Sequence, residues 1–478
     1  MVKQIPEKFK KIFSVFGKDV DMINGPLFGR LWIYVIPLML SGMLQLVYNA
    51  ADVAVVGNFA ADSKNCLAAV GSTGAITNLI IGLFLGLSVG TNVVISRYLV
   101  AGDDKNTSEA VHTAILTSLI FGAVLSVAGV FLAMPVLRMM DTPDSVINLS
   151  TMYMQIYFLG MPASMLYNFG SAILRSKGDT RYPFLVLFLS GLVNLTLNLI
   201  TVIVFHLDVA GVAIATVSSQ ICSATLIVLR LTRMKDCCRL NLRKLRIYPD
   251  KLMKIARIGL PAGVQSIMFS LSNVIIQSGV NSLGPEAMAG NTAASNVDGF
   301  IYIACNSVYH ATVAFTGQNY GARKYARIKK IALQAMIIVA IIGLVLGGIV
   351  MLFDDFFLEI YAPGEENILA REYGALRLKV MAPTYFLCGM MEVSTALMRG
   401  MGSSVIPMCI TVVGTCIFRV WWVLCIFKPI EYFHNMDWLY FTYPISWIVT
   451  MSAIMIAFGL LFKSKCRKRG LDPKHLPE

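Results

Sequence analysis

Residues 31–57 read LWIYVIPLMLSGMLQLVYNAADVAVVG, an apolar run that holds one carboxylate, Asp52. About 20 consecutive apolar residues suffice for a helix to cross a bilayer, and this run exceeds that length. Comparable runs recur near 68–95, 110–135, 150–174, 183–205, 210–231, 254–280, 287–316, 331–353, 376–399, 405–427 and 440–462. With the first they predict twelve transmembrane helices and an all-α polytopic membrane protein. Composition agrees. Of 478 residues, 56% are hydrophobic and 14% charged, and the mean hydropathy is +0.69, whereas soluble domains carry roughly 25% charged residues.

The net charge of +13 is distributed in a way that argues against nucleic acid as a partner. With a cytoplasmic N-terminus, Lys3, Lys8, Lys10, Lys11 and Lys18 lie inside, as do Arg175, Lys177, Arg181, the cluster Arg230–Arg257, the GARKYARIKK segment and the tail from Lys463 to Arg469. The opposite loops hold few bases (Lys64, Arg138, Arg371 and Lys428) and instead carry acids, as in DDFFLEIYAPGEE. Excess Lys and Arg in short cytoplasmic loops sets membrane orientation, so both termini are expected in the cytoplasm. The first 30 residues lack the apolar core and small-residue cleavage site of a signal peptide, so the first span is expected to serve as the insertion signal. The ten cysteines form no C-x-x-C, and His112, His206, His310, His434 and His475 are scattered. Neither a disulfide framework nor a metal site is indicated.

The longest charged interruption, Arg230 to Arg257, leaves six spans on either side. The expected organisation is a cytoplasmic segment 1–30, a six-helix lobe 31–231, a basic linker 232–253, a second lobe 254–462 and a basic tail 463–478. Landmarks recur between the halves: Pro37 in YVIPLML and Pro261 in RIGLPAGV, AAVGSTGAI (68–76) and MAGNTAASN (288–296), SRYLVAGDDK (96–105) and GQNYGARKY (317–325). LRSKGDTRYP (174–183) and MRGMGSSVIP (398–407) place Arg, Gly and Pro at one constant offset. Six spans return the chain to its starting side, so the lobes form a parallel repeat about an axis along the membrane normal, a layout found in alternating-access transporters.

GLSVG (86–90) matches G-x-S-x-G, but that motif needs a strand–turn–helix context. Gly82, Gly86 and Gly90 instead form a smooth groove for close helix packing. No phosphate-binding loop and no H-E-x-x-H helix is present, so transport would draw on an ion gradient. Ser41, Gln45, Tyr48, Asn49 and Asp52 follow steps of three and four and share one face of the first helix. A charge at mid-bilayer costs roughly 2.5–3.5 kcal/mol or more, so that face is expected to turn toward the bundle interior or a water-filled cavity. The fifth span offers a matching face in Asn194 and Asn198, and Thr216 of the sixth can join it. A carboxylate among neutral amides and hydroxyls, with no basic partner, is suited to taking up and releasing a proton. In the second half, Glu392, Asp298, Arg419 and the Gln265–Asn273–Gln277 series are polar groups within spans. Each serves equally well as a functional group or as an interhelical hydrogen bond.

The segments IPLMLSGMLQLVYNAADVAVVG, AAVGSTGAI, LRSKGDTRYP, VNLTLNLI and MEVSTALMRGMGSSVIP, in this order, resemble the multidrug and toxic compound extrusion (MATE) family, over Gly25 to about Lys463. The resemblance implies two six-helix lobes around a V-shaped cavity and export of cationic or amphipathic compounds in exchange for protons or sodium ions. It further implies an ion-coupling site in the N-terminal lobe: Asp52 with Gln45, Tyr48 and Asn49 on the first helix, then Asn194, Asn198 and Thr216. Pro37 matches the position at which the family's first helix bends. Glu392, Asp298 and Gln277 stand as an alternative C-terminal site. The family pattern often has aspartate where this chain has Asn198. One carboxylate makes a poor sodium cage, since hard cations favour several charged oxygens, so protons are the expected coupling ion and sodium the alternative. No cofactor is expected, and the partners are small amphipathic cations and membrane lipid around a monomer. A flippase for lipid-linked sugars would need several bases at mid-depth to hold a diphosphate, and Arg419 alone qualifies. A membrane-embedded enzyme would need paired acidic motifs, which the sequence lacks.

Overall fold

The computed structural model describes residues 19–60, 63–140 and 142–473. Lys3, Lys8, Lys10, Lys11, Lys18 and His475, and the side chain of Lys64, lie outside what is described. The described residues form helices and connecting turns, with no strand. In chain order the spans are the first (Leu27–Phe59), second (Ser63–Val100), third (Asp104–Met139), fourth (Asp144–Leu159 with Met161–Lys177), fifth (Arg181–Leu199 continued through Ile200–Val204) and sixth (Asp208–Thr232). The second lobe comprises the seventh (Pro249–Asn281), eighth (Pro285–Gly321), ninth (Tyr325–Leu352), tenth (Ile368–Met381 with Tyr385–Gly400), eleventh (Val405–Thr411 running on through Val423–Phe427) and twelfth (Met436–Arg467). Ten of these are long and apolar enough to cross a membrane. The other two are the fourth, which is broken, and the eighth, whose 37 residues include Asn291, Asn296, Asp298, Asn306 and His310.

Each departure from a straight rod has a local cause, and most occur twice. The fourth span breaks at Gly160, ahead of Pro162, and the tenth passes through a tight turn at Ala382–Thr384 that contains Pro383. A proline inside a helix removes one backbone donor and crowds the preceding turn. The fourth and tenth spans also end alike, on Gly178 (φ 104°) and Gly402 (φ 77°), a left-handed conformation that glycine adopts without penalty. Pro37 and Pro261 are different: both lie inside unbroken helices. The acidic loop after the ninth span is not irregular throughout. It holds an eight-residue helix, Asp354–Tyr361, whose Asp354 and Asp355 complement the positive helix start. The tenth span begins eight residues earlier than its hydropathy suggests, and so draws Arg377 inside.

The lobes meet from mid-depth to the end that carries the basic segments. A Cβ on Gly86 would lie 2.2 Å from the backbone nitrogen of Gly263, and one on Gly90 would lie 2.3 Å from the Ile255 carbonyl oxygen. The expected glycine groove is therefore the bed of the seventh span. Arg97 Nη2 donates to the Gly400 carbonyl at 2.9 Å, and Gln318 Nε2 to that of Ser176 at 2.7 Å. Tyr34 of the first span stacks edge-on against Phe315 of the eighth, with ring centroids 5.5 Å apart. By contrast, Gly71 and Gly74, on the half of the second span remote from the basic face, have open space where a Cβ would stand. The result is a cleft closed at the basic face. Gly86→Val should wedge the second and seventh spans apart. Overpacking costs about 1–3 kcal/mol, so the closed arrangement should lose about tenfold or more in population, read as labelling of a cysteine in place of Ser96, which is buried against Gly317 of the eighth span.

A strap of residues 19–26 crosses the closed face. The Val20 amide donates to the Gly178 carbonyl at 3.2 Å, and Met22 is fully buried. Asn319 Nδ2 donates to the Met22 carbonyl at 3.0 Å, and Arg327 Nη2 to those of Asn24 and Gly25 at 3.0 and 2.9 Å. Desolvation alone would raise the Asp21 pKa, but the Ile23 and Asn24 amides, Arg30 and the Asn24 side chain together hold it at about 2. Its contribution therefore persists at higher pH and is lost only as pH falls through about 2.

Candidate functional site

Asp52 lies in the half of the first span remote from the basic face, and the fifth span supplies its partner. Asn198 Nδ2 donates to Asp52 Oδ1 and, at 3.3 Å, to Asn194 Oδ1. Asn194 Nδ2 in turn donates to Thr216 Oγ1 of the sixth span at 3.4 Å. Thr216 bonds back to its own helix through the Val212 carbonyl at 2.9 Å and lies within reach of Asp52. Asn194 and Asn198 are buried, whereas Asp52 is half-buried. None of these bonds comes from a basic side chain. Asn198 Oδ1 is buried with no partner, so this amide retains one unused acceptor beside the carboxylate.

The backbone makes room for this arrangement. Immediately after Asn198 the fifth span widens into a π turn, Ile200–Val204, a rare geometry that recurs at functional sites. Thr201 Oγ1 donates to the Leu197 carbonyl at 2.8 Å there. Gly191 admits the Tyr48 ring, since a Cβ at 191 would fall 1.8 Å from it, and the Tyr48 hydroxyl donates to the Phe188 carbonyl at 3.2 Å. Tyr153 and Tyr157 of the fourth span are close enough to feel the Asp52 charge. They were not identified from sequence, although their i, i+4 spacing in YMQIY gave a shared face.

The polar stripe of the first span divides. Tyr48 and Asp52 turn toward the fifth and sixth spans, while Gln45 and Asn49 are exposed. Gly42 and Leu46 meet Ile303 and Gly299 of the eighth span, so Gln45 and Asn49 lie between the two contact faces, on the wall of the cleft. Ser41 is bonded to its own helix, its hydroxyl donating to the Pro37 carbonyl at 2.7 Å. Pro37 itself is buried.

In the second lobe Asp298 and Gln277 share one network, and Glu392 lies outside it. Asp298 is held by Arg377, with Nε and Nη2 both 2.9 Å from Oδ2. Arg377 Nη1 also donates to Asn291 Oδ1 at 2.6 Å, and the Tyr440 hydroxyl donates to the same oxygen at 3.0 Å. Asn291 Nδ2 donates to Gln277 Oε1 at 3.0 Å, so Gln277 belongs to the Asp298 network. Glu392 stands apart and is buried, with Arg399 as the neighbouring charge. Arg399 donates to the Tyr309 hydroxyl and Gln265 Oε1, at 2.5 and 2.8 Å, while its Nε is buried without a partner. Arg377, Asn291 and Tyr440 were missed in the sequence. The available signal was a base and an acid of opposite sign inside neighbouring spans.

Comparison with known proteins identifies the family. The MatE family profile matches residues 37–200 and 261–422, one segment in each lobe. The probable multidrug resistance protein YoeA of Bacillus subtilis is 27% identical over 444 residues, covering 91% of this chain and 94% of its own. The probable multidrug resistance protein NorM of Thermotoga maritima is 21% identical over 387 residues, covering 79% and 81%. A solved structure described as the outward-facing conformation of a multidrug resistance MATE family transporter superposes with a TM-score of 0.86 at 22% identity, covering 94% of this chain and 98% of that one. A two-lobed helical membrane protein whose halves each carry the family's signature has one assignment: the chain belongs to the MatE family of multidrug and toxic compound extrusion transporters.

Proposed function

We propose that this chain is a secondary active antiporter that exports amphipathic, chiefly cationic, compounds in exchange for protons, by alternating access of the cleft between its lobes. The observation that carries the proposal is the lone carboxylate of Asp52, held across the first and fifth spans by Asn198. One proton fully neutralises that site. Sodium would exchange its hydration shell for a single charged oxygen and neutral amides, a weak cage for a hard cation. Asn198 suits a group that alternates between forms. Its Nδ2 serves the ionised carboxylate, and its unused Oδ1 can accept from the protonated one after an amide rotation. The names of the relatives YoeA and NorM support drugs as the substrate class, and the cleft closed at the basic face matches the described state of the outward-facing relative.

On this reading the basic face is cytoplasmic, both termini lie inside, the chain sits in the cell membrane as a monomer, and it needs neither cofactor nor nucleic acid. Export of lipid-linked sugars is less well supported. Such a flippase needs several free bases converging on a diphosphate; Arg377 is paired with Asp298 and Arg399 bonds Tyr309 and Gln265, which leaves Arg419 as a single candidate. The test uses everted vesicles and a fluorescent cation, with a pH gradient in sodium-free buffer and then a sodium gradient alone. Uptake driven by the pH gradient is expected. Uptake that needs sodium and survives Asp52→Asn would overturn the proposal.

Asn194→Leu and Asn198→Leu remove hydrogen bonds that stabilise one form of Asp52 over the other. Each should move the pH midpoint of transport by about half a unit or more, since one unit corresponds to about 1.4 kcal/mol, with folding retained. An unchanged pH profile in both variants would show that these amides do not set the titration.

A further inference from the structure

The eleventh span holds a cation with no anion beside it. Arg419 is 2% exposed. Its Nε donates to the Ser446 hydroxyl of the twelfth span at 3.1 Å. Its guanidinium lies over the Tyr443 ring, 4.0 Å from the centroid, with the Trp447 ring at 5.8 Å. Nη2 is buried and reaches no hydrogen-bond partner. One turn further on, the indole Nε1 of Trp422 is also buried without a partner. Among the described residues, no carboxylate forms an ion pair with Arg419. Of the acids in this lobe's interior, Asp298 is paired with Arg377, and Glu392, whose neighbouring charge is Arg399, forms no ion pair with Arg419.

The backbone around these donors is unusual. The short helix Phe418–Trp422 lies between two π segments, Val412–Ile417 and Val423–Phe427. The offset that pairs Arg175 with Arg399 and Pro183 with Pro407 brings Val423–Phe427 to within one residue of Ile200–Val204. It also places Arg419 opposite Leu195, beside Asn194. The two lobes thus build corresponding places, each just before a π turn, with opposite chemistry: a carboxylate among amides in the first, a guanidinium with an indole donor in the second.

We propose that Arg419 and Trp422 form an anion-binding subsite in the C-terminal lobe, for a monovalent group such as a halide or a carboxylate. An uncompensated charge inside a membrane is costly, and so is each buried donor left unused. An anion between Nη2 and the indole N–H relieves both. The valence follows from charge: one guanidinium balances one negative charge, and Arg377 of the same lobe is already paired with Asp298, so a phosphate or diphosphate would stay under-compensated. The subsite is distinct from Asp52 and does not depend on how transport is coupled.

The test uses the full chain in lipid nanodiscs, titrated with sodium chloride or sodium acetate against sodium gluconate at constant ionic strength. The readout is the thermal unfolding midpoint, with quenching of tryptophan fluorescence by sodium bromide as a second measure. A saturable rise in midpoint is expected for wild type and none for Arg419→Gln. Trp422→Phe keeps the ring and removes the N–H, and should weaken the apparent affinity about fivefold, the worth of one hydrogen bond. Saturation by both salts supports the subsite in its general form. Saturation by acetate alone assigns it to the carboxylate of a transported compound, and by chloride alone to a free inorganic anion. No saturable response in cooperatively unfolding wild-type protein overturns the proposal, as does an equal response in Arg419→Gln. Should Arg419→Gln fail to fold, an unchanged affinity in Trp422→Phe overturns it instead.

Discussion

Replacing Asp52 by asparagine is expected to abolish resistance, returning an exporter-deficient host to the susceptibility of an empty vector at matched expression. The substitution keeps the shape and the bond from Asn198 Nδ2 to Oδ1, and it removes the group that can change charge. A fall in export of at least about tenfold, or ~1.4 kcal/mol in the limiting step, should come with a normal unfolding midpoint, because the site is already rich in amides. Binding and coupling separate in the readout. Equilibrium binding of a fluorescent substrate should survive in Asp52→Asn while pH-driven accumulation disappears. Full resistance in this variant would move the coupling role to another group, and Glu392→Gln would be the next to measure.

The second large effect concerns stability. Arg377→Met should lower the unfolding midpoint sharply, because it leaves the Asp298 carboxylate, 4% exposed at its side chain, without its counter-charge. Breaking a buried pair from one side costs about 3–5 kcal/mol. It also strips Asn291 Oδ1 of one of its two donors. The double variant Asp298→Leu with Arg377→Met should recover most of that loss, since a buried pair is often no more stabilising than the apolar residues that replace it. Non-additivity of this kind is the signature of direct coupling. A double variant no better than Arg377→Met would place the importance of Arg377 in its bonds to Asn291 rather than in the ion pair.

Much of this architecture was legible in the sequence because a bilayer enforces it. Spans must be long, apolar and helical, and the recurrence of Pro37 with Pro261 and of Arg175 with Arg399 exposes the repeat. Asp52, Asn194, Asn198 and Thr216 were legible for the same reason, since polar groups at helical spacing in an apolar run have few places to go. The second lobe was less readable. Periodicity places a residue on a face but does not say which neighbour it meets. Asp298 therefore read equally well as a functional acid or as an interhelical bond, until Arg377, placed near a span boundary by hydropathy, proved to be its partner. The π turns after Asn198 and on both sides of Arg419 have no sequence signature in Val-, Ile- and Leu-rich stretches. The division of the first-span stripe, with Tyr48 turned inward and Gln45 left on the cleft wall, depends on the absence of a side chain at Gly191, a residue unremarkable in its own segment.

The strap over the closed face also imposes an order on biosynthesis. Met22, Ile23, Asn24 and Gly25 leave the ribosome before the first span, yet the side chains that hold their carbonyls, Asn319, Lys324 and Arg327, follow about 300 positions later. Arg30 of the first span can already serve the Asn24 carbonyl, but until the eighth span and the start of the ninth have been inserted, those of Met22, Ile23 and Gly25 have only water or lipid headgroups as partners. The closed face is therefore among the last parts of the molecule to assemble, although one of its pieces is among the first to be made. A nascent chain halted after the sixth span should expose residues 19–26 to protease. The finished protein should protect them.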